Sequence, residues 1–155
     1  MTEKIRLIVA SEYTLYREAI SMVLASEGDI EIVAEASKVI EVKRAIRQTR
    51  ADVLLLDMDM TELDAPDVLS LVRNKNPDLG VLLFIMRYDD EKRIVEAICA
   101  GALGYILKSA NTGELTKSIR VLVQGEVWIQ RKMMAKVISK FSSFIRHLPL
   151  QSEGL

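Results

Sequence analysis

Short apolar segments alternate with segments of helical periodicity over most of the chain. Four of these apolar segments are almost purely hydrophobic, which is typical of strands buried on both faces of a parallel sheet. The second segment alternates polar and apolar residues, which is typical of an edge strand with one face more exposed to solvent. The pattern predicts five strands, at Ile5–Val9, Ile30–Ala36, Val53–Asp57, Val81–Met86 and Gly104–Leu107.

Residues that start and end helices flank the segments between these strands. Pro66 stands where a first helical turn tolerates proline, and Gly101 is placed to end the helix before the last strand. Asn111 followed by Glu114 resembles a capping box, and Gly125 ends the helix that it opens. Five successive β/α units predict a doubly wound α/β fold of flavodoxin-like type, with a five-stranded parallel sheet in the order 2-1-3-4-5.

The chain beyond Gly125 has a different pattern, which predicts one amphipathic linker helix and a polar tail. Apolar residues follow one another there at heptad-like spacing, and Pro149 limits the helix. They are Met134, Val137, Phe141, Phe144 and Leu148. Because this helix exceeds what the five units need, we expect its apolar stripe to meet a partner, either a second copy or an output domain.

Composition excludes several classes of protein. The 155 residues suffice for one domain with a small appendage, and their net charge of −1 gives no overall attraction to nucleic acid. The single Cys99 forms no internal disulfide, which favours a reducing compartment. No apolar run approaches the roughly 20 residues of a membrane span. We expect a soluble, cytoplasmic protein without membrane contact.

Chemically active side chains follow the strands whose carboxyl ends converge in such a sheet. They are Ser11 and Glu12 after the first strand, Asp57 and Asp59 after the third, Met86 and Arg87 after the fourth, and Lys108 after the fifth. Oxygen ligands suit Mg²⁺, and a lysine binds phosphate as a point charge. A carboxylate, Mg²⁺ and a lysine are the components needed to form an aspartyl phosphate. The simpler alternative is that the strands end there and the charged side chains meet water.

Three segments together resemble the response regulator receiver domain of two-component signalling. They are "IRLIVASEYTLYREAI", "ADVLLLDMDMTELDAPDVL" and "GALGYILKS", in the family's order and spacing, and the resemblance covers roughly residues 4 to 129. The segment "GEVWIQ" makes the chain most similar to the NarL/LuxR type. In full-length members of that type, a linker leads to a helix-turn-helix domain that binds DNA.

The resemblance implies a role for each matching residue. Asp57 would accept a phosphoryl group from a histidine kinase, and Lys108 would bind the phosphoryl oxygens. Glu12, Asp57 and the backbone carbonyl of Asp59 would hold Mg²⁺. Tyr105 would be the aromatic switch residue that changes rotamer on activation.

Several residues depart from the family pattern. Ser11 stands where the first acid of the metal-binding pair is expected, so one negative charge is missing. Met86 replaces the hydroxyl residue of the switch, and a thioether cannot donate a hydrogen bond. Arg87 replaces a small residue, and Thr61 and Ala65 replace the usual proline and glycine. A weakened pocket would follow, unless Asp59 and Arg87 compensate, with Arg87 as a phosphate ligand or as a built-in partner of Asp57.

Three functions remain open. The first is a receiver domain at 1–127, followed by a linker and tail at 128–155, which is phosphorylated on Asp57 and controls dimerisation or a DNA-binding output domain. It would have no small-molecule substrate and no enzymatic activity beyond Mg²⁺-assisted self-phosphorylation. The second is a phosphorylation-independent pseudo-receiver used for protein interaction or dimerisation. The third is an unrelated flavodoxin-like enzyme or ligand binder, which the absence of a Gly-rich phosphate loop after strand one disfavours.

Overall fold

The computed structural model describes residues 3–87 and 90–146 and has the predicted α/β architecture. A parallel sheet in the order β2-β1-β3-β4-β5 carries helices on both faces. The elements in chain order are β1 (Ile5–Ala10), α1 (Thr14–Ala25), β2 (Ile30–Ala36), α2 (Val39–Gln48), β3 (Val53–Asp57), α3 (Ala65–Lys75), β4 (Gly80–Ile85), α4 (Glu91–Cys99), β5 (Gly104–Leu107), α5 (Thr112–Val123) and α6 (Arg131–Arg146).

The strand predictions are confirmed except at two strands. β1 extends one residue further, to Ala10, and β4 begins and ends one residue earlier than predicted. Gly80 pairs with Val53, and the β4–β5 ladder ends where Ile85 pairs with Leu107. Met86 therefore lies outside the strand, contrary to the prediction. Its hydrophobicity is indistinguishable from that of a strand residue, but it has no partner on β5.

The central strand β3 is buried on both faces, and this explains its uninterrupted apolar sequence. Leu54 and Leu56 belong to the core on one side of the sheet, and Leu55 belongs to the core on the other. Each is at most 1 % exposed. Burying a leucine side chain contributes about 1.5–3 kcal/mol, so this strand anchors the sheet and holds its last residue, Asp57, at a fixed place.

The helix ends follow the predicted capping chemistry with one difference. The side chain of Asn111 accepts a hydrogen bond of 2.8 Å from the backbone N–H of Glu114, as an N-cap does. The Glu114 carboxylate, however, bonds the side-chain amide of Asn111 at 3.1 Å. Gly101 and Gly125 have φ angles of 124° and 85°, which is why glycine ends α4 and α5.

Helix α6 packs on α4, but its inner face differs from the predicted stripe. Met133, at 5 % exposed, enters the core, and Val137 packs beside it. Of the predicted stripe, Met134 is half-buried beside Met133, and Phe141 is 57 % exposed. Heptad spacing identifies an apolar helix but does not say which of two neighbouring methionines faces α4.

The predicted stripe continues at Phe144 and Leu148, and the predicted tail follows Pro149. These positions lie outside the described side chains and residues. Within 3–87 and 90–146, no helix has the length and apolarity that crossing a bilayer requires.

Candidate functional site

The carboxylate of Asp57 is the centre of a hydrogen-bonded network at the carboxyl end of β3. The residue is 2 % exposed. Its Oδ1 accepts from the Lys108 ammonium at 2.7 Å and from the Asp59 backbone N–H at 2.8 Å. Its Oδ2 accepts from the Ser11 hydroxyl at 2.9 Å. Both carboxylate oxygens are therefore held by groups from three different loops.

Lys108 joins two carboxylates, because its ammonium also lies 2.9 Å from Oδ2 of Asp59. Its side chain is 8 % exposed, and burial by itself lowers the pKa of a lysine. The hydrogen bonds to Asp57 and Asp59 outweigh burial, so the pKa of Lys108 is raised and the ammonium stays charged. Asp59 thus contributes its side chain here, where the resemblance implied a role for its backbone carbonyl.

Ser11 is fixed in place by its own neighbours. It is 1 % exposed, and its backbone N–H donates to the carbonyl of Ala36 at 3.0 Å. Its carbonyl accepts from Nη1 of Arg17 at 2.7 Å, and Nε of Arg17 is paired with Glu35 at 3.1 Å. A neutral donor consequently occupies the buried position where the family's first acid is expected.

Glu12 is held by Thr61 in the loop after β3. Oε1 of Glu12 accepts from the Thr61 backbone N–H at 2.7 Å, and both Glu12 oxygens lie 3.1 Å from its hydroxyl oxygen. A threonine at this position has the N–H and hydroxyl that bind Glu12, and proline has neither.

The residues at this site could bind Mg²⁺, but they would supply only a few protein ligands. Among the described residues, no group of three or more His, Cys, Asp or Glu side chains is placed to hold a metal. Glu12, Asp57 and the Asp59 carbonyl remain as hard oxygen donors, and Mg²⁺ commonly uses one or two carboxylates together with water and phosphate. The Lys108 ammonium and Thr61 already bond oxygens of Asp57 and Glu12, and they would compete with the ion for these acceptors.

Met86 and Arg87 line a cavity of about 240 Å³ beside Asp59. Met86 is 60 % exposed, and Arg87 is also exposed. Within the described part of the chain, Arg87 has no ion pair or hydrogen bond to Asp57, whose oxygens bond Lys108, Asp59 and Ser11 instead.

Tyr105 lies inward, away from this network. It is 3 % exposed, and its hydroxyl accepts a hydrogen bond of 3.3 Å from the backbone N–H of Gln130. The predicted switch residue therefore contacts the segment that leads into α6.

Tyr16 is a neighbour of the site that the sequence did not reveal. Its hydroxyl donates to the Lys108 carbonyl at 3.4 Å, and its ring centroid lies 5.8 Å from the Lys108 ammonium, within range of a cation–π contact. Burial and then the Asp57 carboxylate raise the pKa of Tyr16, which keeps its hydroxyl protonated. No signal in the sequence separates this tyrosine from an ordinary residue of α1, because the contact spans 92 positions.

Comparison with known proteins agrees with the geometry. The family described as "Response regulator receiver domain" matches residues 7–120. The oxygen regulatory protein NreC of Staphylococcus epidermidis is 29 % identical over 137 residues, which are 88 % of this chain and 62 % of that protein. The chain thus spans less than two thirds of that relative.

Solved structures give the same result. The signal receiver domain of the response regulator NarL from Mycobacterium tuberculosis has a TM-score of 0.75 at 29 % identity, covering 81 % of this chain and all of the other. A LuxR-family two-component response regulator from Aurantimonas has a TM-score of 0.77 at 21 % identity, covering 90 % of this chain and 99 % of the other, and shows the likeness of fold alone.

Proposed function

We propose, from the fact that this chain belongs to the response regulator receiver domain family, that it is a signal receiver phosphorylated on Asp57 by a histidine kinase. The observation that carries the proposal is the Lys108 ammonium, 2.7 Å from the Asp57 carboxylate at the carboxyl edge of the sheet. A carboxylate beside a fixed cation can act as nucleophile while the cation stabilises the charge of the incoming phosphoryl group.

The transfer would proceed by displacement at phosphorus. An Asp57 oxygen forms the new P–O bond as the P–N bond of the kinase's phosphohistidine breaks, and the leaving imidazole nitrogen takes up a proton. Oδ2 is the oxygen that makes a single hydrogen bond, from Ser11, among the described residues, so it is the oxygen that we assign to the attack. The Lys108 ammonium then exchanges its contact with Asp57 for one with a phosphoryl oxygen, while its ion pair with Asp59 keeps it oriented.

Glu12, Asp57 and the Asp59 carbonyl would hold Mg²⁺, which supplies positive charge against the phosphoryl oxygens when it is bound. The Glu12 carboxylate already accepts hydrogen bonds from the N–H and hydroxyl of Thr61. The Thr61 hydroxyl and N–H therefore compete with the metal for the same oxygens, and they add to the cost of the missing acid at Ser11.

The test is an intact-mass measurement on the full chain with Mg²⁺ and a small phosphodonor, repeated with a cognate histidine kinase. The proposal expects the mass of one phosphoryl group, lost in Asp57→Ala and retained in Asp78→Asn, an exposed control. Lack of an adduct from both donors would refute phosphorylation and leave the second candidate.

That second candidate is a phosphorylation-independent interaction module. It is favoured by the Ser11 hydrogen bond to Asp57, because the buried carboxylate is already satisfied without metal or phosphate. In this case Asp57, Lys108 and Asp59 form a structural network, and changes at Asp57 would alter stability but not signalling.

For the output, we propose that residues 1–127 are the receiver domain and 128–155 the linker toward a DNA-binding domain. Identity to regulators of greater length supports this division. We also propose that the chain forms a homodimer through the outer side of α6. Met134, Ile138 and Phe141 follow one another there at spacings of four and three, as in a helix that pairs with a like helix. Ile138 and Phe141 are each 57 % exposed, and Ala135 and Ser142 beside them carry no charge that would repel a second copy.

A further inference from the structure

The Ser11 hydroxyl is a buried nucleophile that forms no covalent bond in the proposed transfer to Asp57. Its Oγ donates to Oδ2 of Asp57 at 2.9 Å, and the Lys108 ammonium lies 2.7 Å from Oδ1 of the same carboxylate. A hydroxyl bonded to a carboxylate that is itself oriented by a third group is the arrangement of an activated nucleophile and its base. Protein kinases use an aspartate in this way, to accept the proton of the substrate hydroxyl.

The backbone of Ser11 holds this hydroxyl in place. The Ser11 N–H donates to the Ala36 carbonyl at 3.0 Å, and the Ser11 carbonyl accepts from Nη1 of Arg17 at 2.7 Å. The Arg17 side chain is 14 % exposed, and its Nε is paired with Glu35 at 3.1 Å. Because β2 and α1 thus fix both polar backbone groups of Ser11, its side chain is held in one position against the carboxylate of Asp57.

Ser11 and Asp57 are buried to the same degree in the same pocket. Ser11 is 1 % exposed and Asp57 is 2 % exposed. A phosphoryl donor that reaches Oδ2 of Asp57 therefore has a second oxygen nucleophile, Oγ of Ser11, 2.9 Å from the oxygen that it approaches. The Lys108 ammonium contacts Asp57 and Asp59 and can balance the charge of the phosphoryl oxygens for either acceptor.

We propose that Ser11 is a second phosphoacceptor of this pocket, with Asp57 as its general base and Lys108 as the cation that binds the phosphoryl oxygens. The inference rests on the proposed delivery of a phosphoryl group to the pocket and adds a second destination for that group. Oγ of Ser11 forms the new P–O bond as the P–N bond of the donor breaks. The Ser11 proton passes to Oδ2 of Asp57 and from there to the leaving nitrogen, so the step needs no further reactant.

The products of the two transfers differ in lifetime. An aspartyl phosphate is an acyl phosphate, which water hydrolyses readily, whereas phosphoserine is a phosphate ester that persists. A phosphoryl group on Ser11 places about −1.5 to −2 charges beside the Lys108 ammonium at pH 7. Phosphorylation of Ser11 therefore gives a long-lived change of charge in the pocket, and phosphorylation of Asp57 gives a short-lived one.

The test treats the full chain with phosphoramidate and Mg²⁺ and then divides the sample. One half receives hydroxylamine, which removes the phosphoryl group of an aspartyl phosphate and leaves that of phosphoserine. Cleavage after arginine places Ser11 and Asp57 in different peptides, residues 7–17 and 51–73. Fragment spectra of the first peptide then distinguish Ser11 from Thr14 and from the two tyrosines. The expected result is a hydroxylamine-stable phosphoryl group on Ser11.

Three variants assign the roles of the side chains. Ser11→Ala should abolish the stable phosphoryl group, because the acceptor is gone. Asp57→Asn keeps the shape of the side chain but removes the base, so it should slow formation of the stable group by about a hundredfold or more. The matched control is Ser37→Ala, which removes another serine hydroxyl that donates to a carboxylate, that of Glu41 at 2.8 Å, and should leave the stable group unchanged.

Three results would overturn the proposal, and they differ in what else they refute. A phosphoryl group on Asp57 alone, removed completely by hydroxylamine, would leave the proposed function intact and show that Ser11 only positions the carboxylate. A stable group on Ser11 that forms equally fast in Asp57→Asn would show that Asp57 is not its base. If neither peptide carries a phosphoryl group, with phosphoramidate or with the cognate histidine kinase, both this proposal and the proposed function fail.

Discussion

The hydroxyl of Ser11 donates a hydrogen bond of 2.9 Å to Oδ2 of Asp57. A neutral donor thus satisfies the buried carboxylate at the position where the resemblance leads us to expect the first acid of the metal-binding pair. With serine at position 11, Asp57 has no second carboxylate at that position to repel it, and its own charge is balanced by the Lys108 ammonium at 2.7 Å.

Ser11→Asp should consequently increase Mg²⁺ affinity and decrease stability without Mg²⁺. A second buried carboxylate beside Asp57 would supply a further metal ligand. We expect it to increase the affinity for Mg²⁺ by about tenfold, which is the size of effect that single residues around a metal site commonly have. In the absence of metal, the lost hydrogen bond and the new repulsion should cost about 1–3 kcal/mol of unfolding free energy. Calorimetric titration with Mg²⁺ and urea unfolding measure the two effects.

The matched control is Ser139→Asp on the exposed side of α6, which adds the same charge far from Asp57 in sequence. Equal Mg²⁺ affinities for Ser11→Asp and the unchanged chain would contradict the expectation.

Lys108→Met should destabilise the protein strongly. The side chains of Lys108 and Asp57 are 8 % and 2 % exposed, so removal of the ammonium leaves a buried carboxylate without its cation. Breaking a buried pair on one side typically costs about 3–5 kcal/mol, and here the Ser11 and Asp59 hydrogen bonds should keep the loss toward the lower end. Urea unfolding tests this, with Lys117→Met on the exposed face of α5 as control.

Asp57→Asn combined with Lys108→Met should recover part of that loss, because no uncompensated charge then remains in the site. A double variant no more stable than Lys108→Met alone would show that the two residues are not energetically coupled.

The Asp29–Arg120 pair should make stability sensitive to acid. Nε and Nη2 of Arg120 each lie 2.8 Å from an oxygen of Asp29, and this hydrogen bonding is the largest cause that lowers the pKa of Asp29. Because the pKa is lower in the folded chain than in the unfolded chain, the contribution is present above the ordinary value of 3.8 and is lost as pH falls through the folded-state pKa.

The measurement is the difference in unfolding free energy between the unchanged chain and Asp29→Asn, followed from neutral pH into the acid range. We expect a small difference at pH 7 that vanishes in acid. Asp78→Asn, another exposed residue, should show no such trend, and an Asp29→Asn difference independent of pH would argue against the ion pair.

Ile138→Ser with Phe141→Ser should weaken self-association. The two side chains are each 57 % exposed on the outer side of α6, so their replacement leaves the attachment to α4 intact. Removing two large apolar side chains from a dimer interface should cost about 2–4 kcal/mol of association free energy. Sedimentation equilibrium checks this, with Ser139→Ala as control, and a monomer at all concentrations of the unchanged chain would refute the dimer.

The fold could be predicted because each strand and turn carries its own local signal. The uninterrupted apolar sequence of β3 indicates a buried strand, and the alternation of polar and apolar residues in β2 indicates an edge strand. Gly101 and Gly125 indicate the ends of helices. Parallel strands joined by helices then permit few topologies. The end of β4 was misplaced at Met86 because the ladder ends where its partner strand ends, and the partner is remote in sequence.

The residue types of the site could be predicted, but the pairing of its charges could not. The sequence placed Ser11, Asp57, Asp59 and Lys108 at converging strand ends. It could not tell that Lys108 bridges both aspartates, that Thr61 holds Glu12, or that Tyr16 lies beside the ammonium. These contacts depend on side-chain rotamers that are set by packing against residues 46 to 92 positions away in the sequence.

The sequence by itself thus determined the α/β sheet, the edge at which the site lies and the residues available there, because hydrophobic periodicity and turn chemistry act over a few residues. Only the tertiary structure decided that the Asp57 carboxylate is satisfied by Ser11 and Lys108, and that Tyr105 bonds Gln130 before α6. The physical reason is that a buried polar group must find its partner in three dimensions, and that partner is selected by packing and not by proximity along the chain.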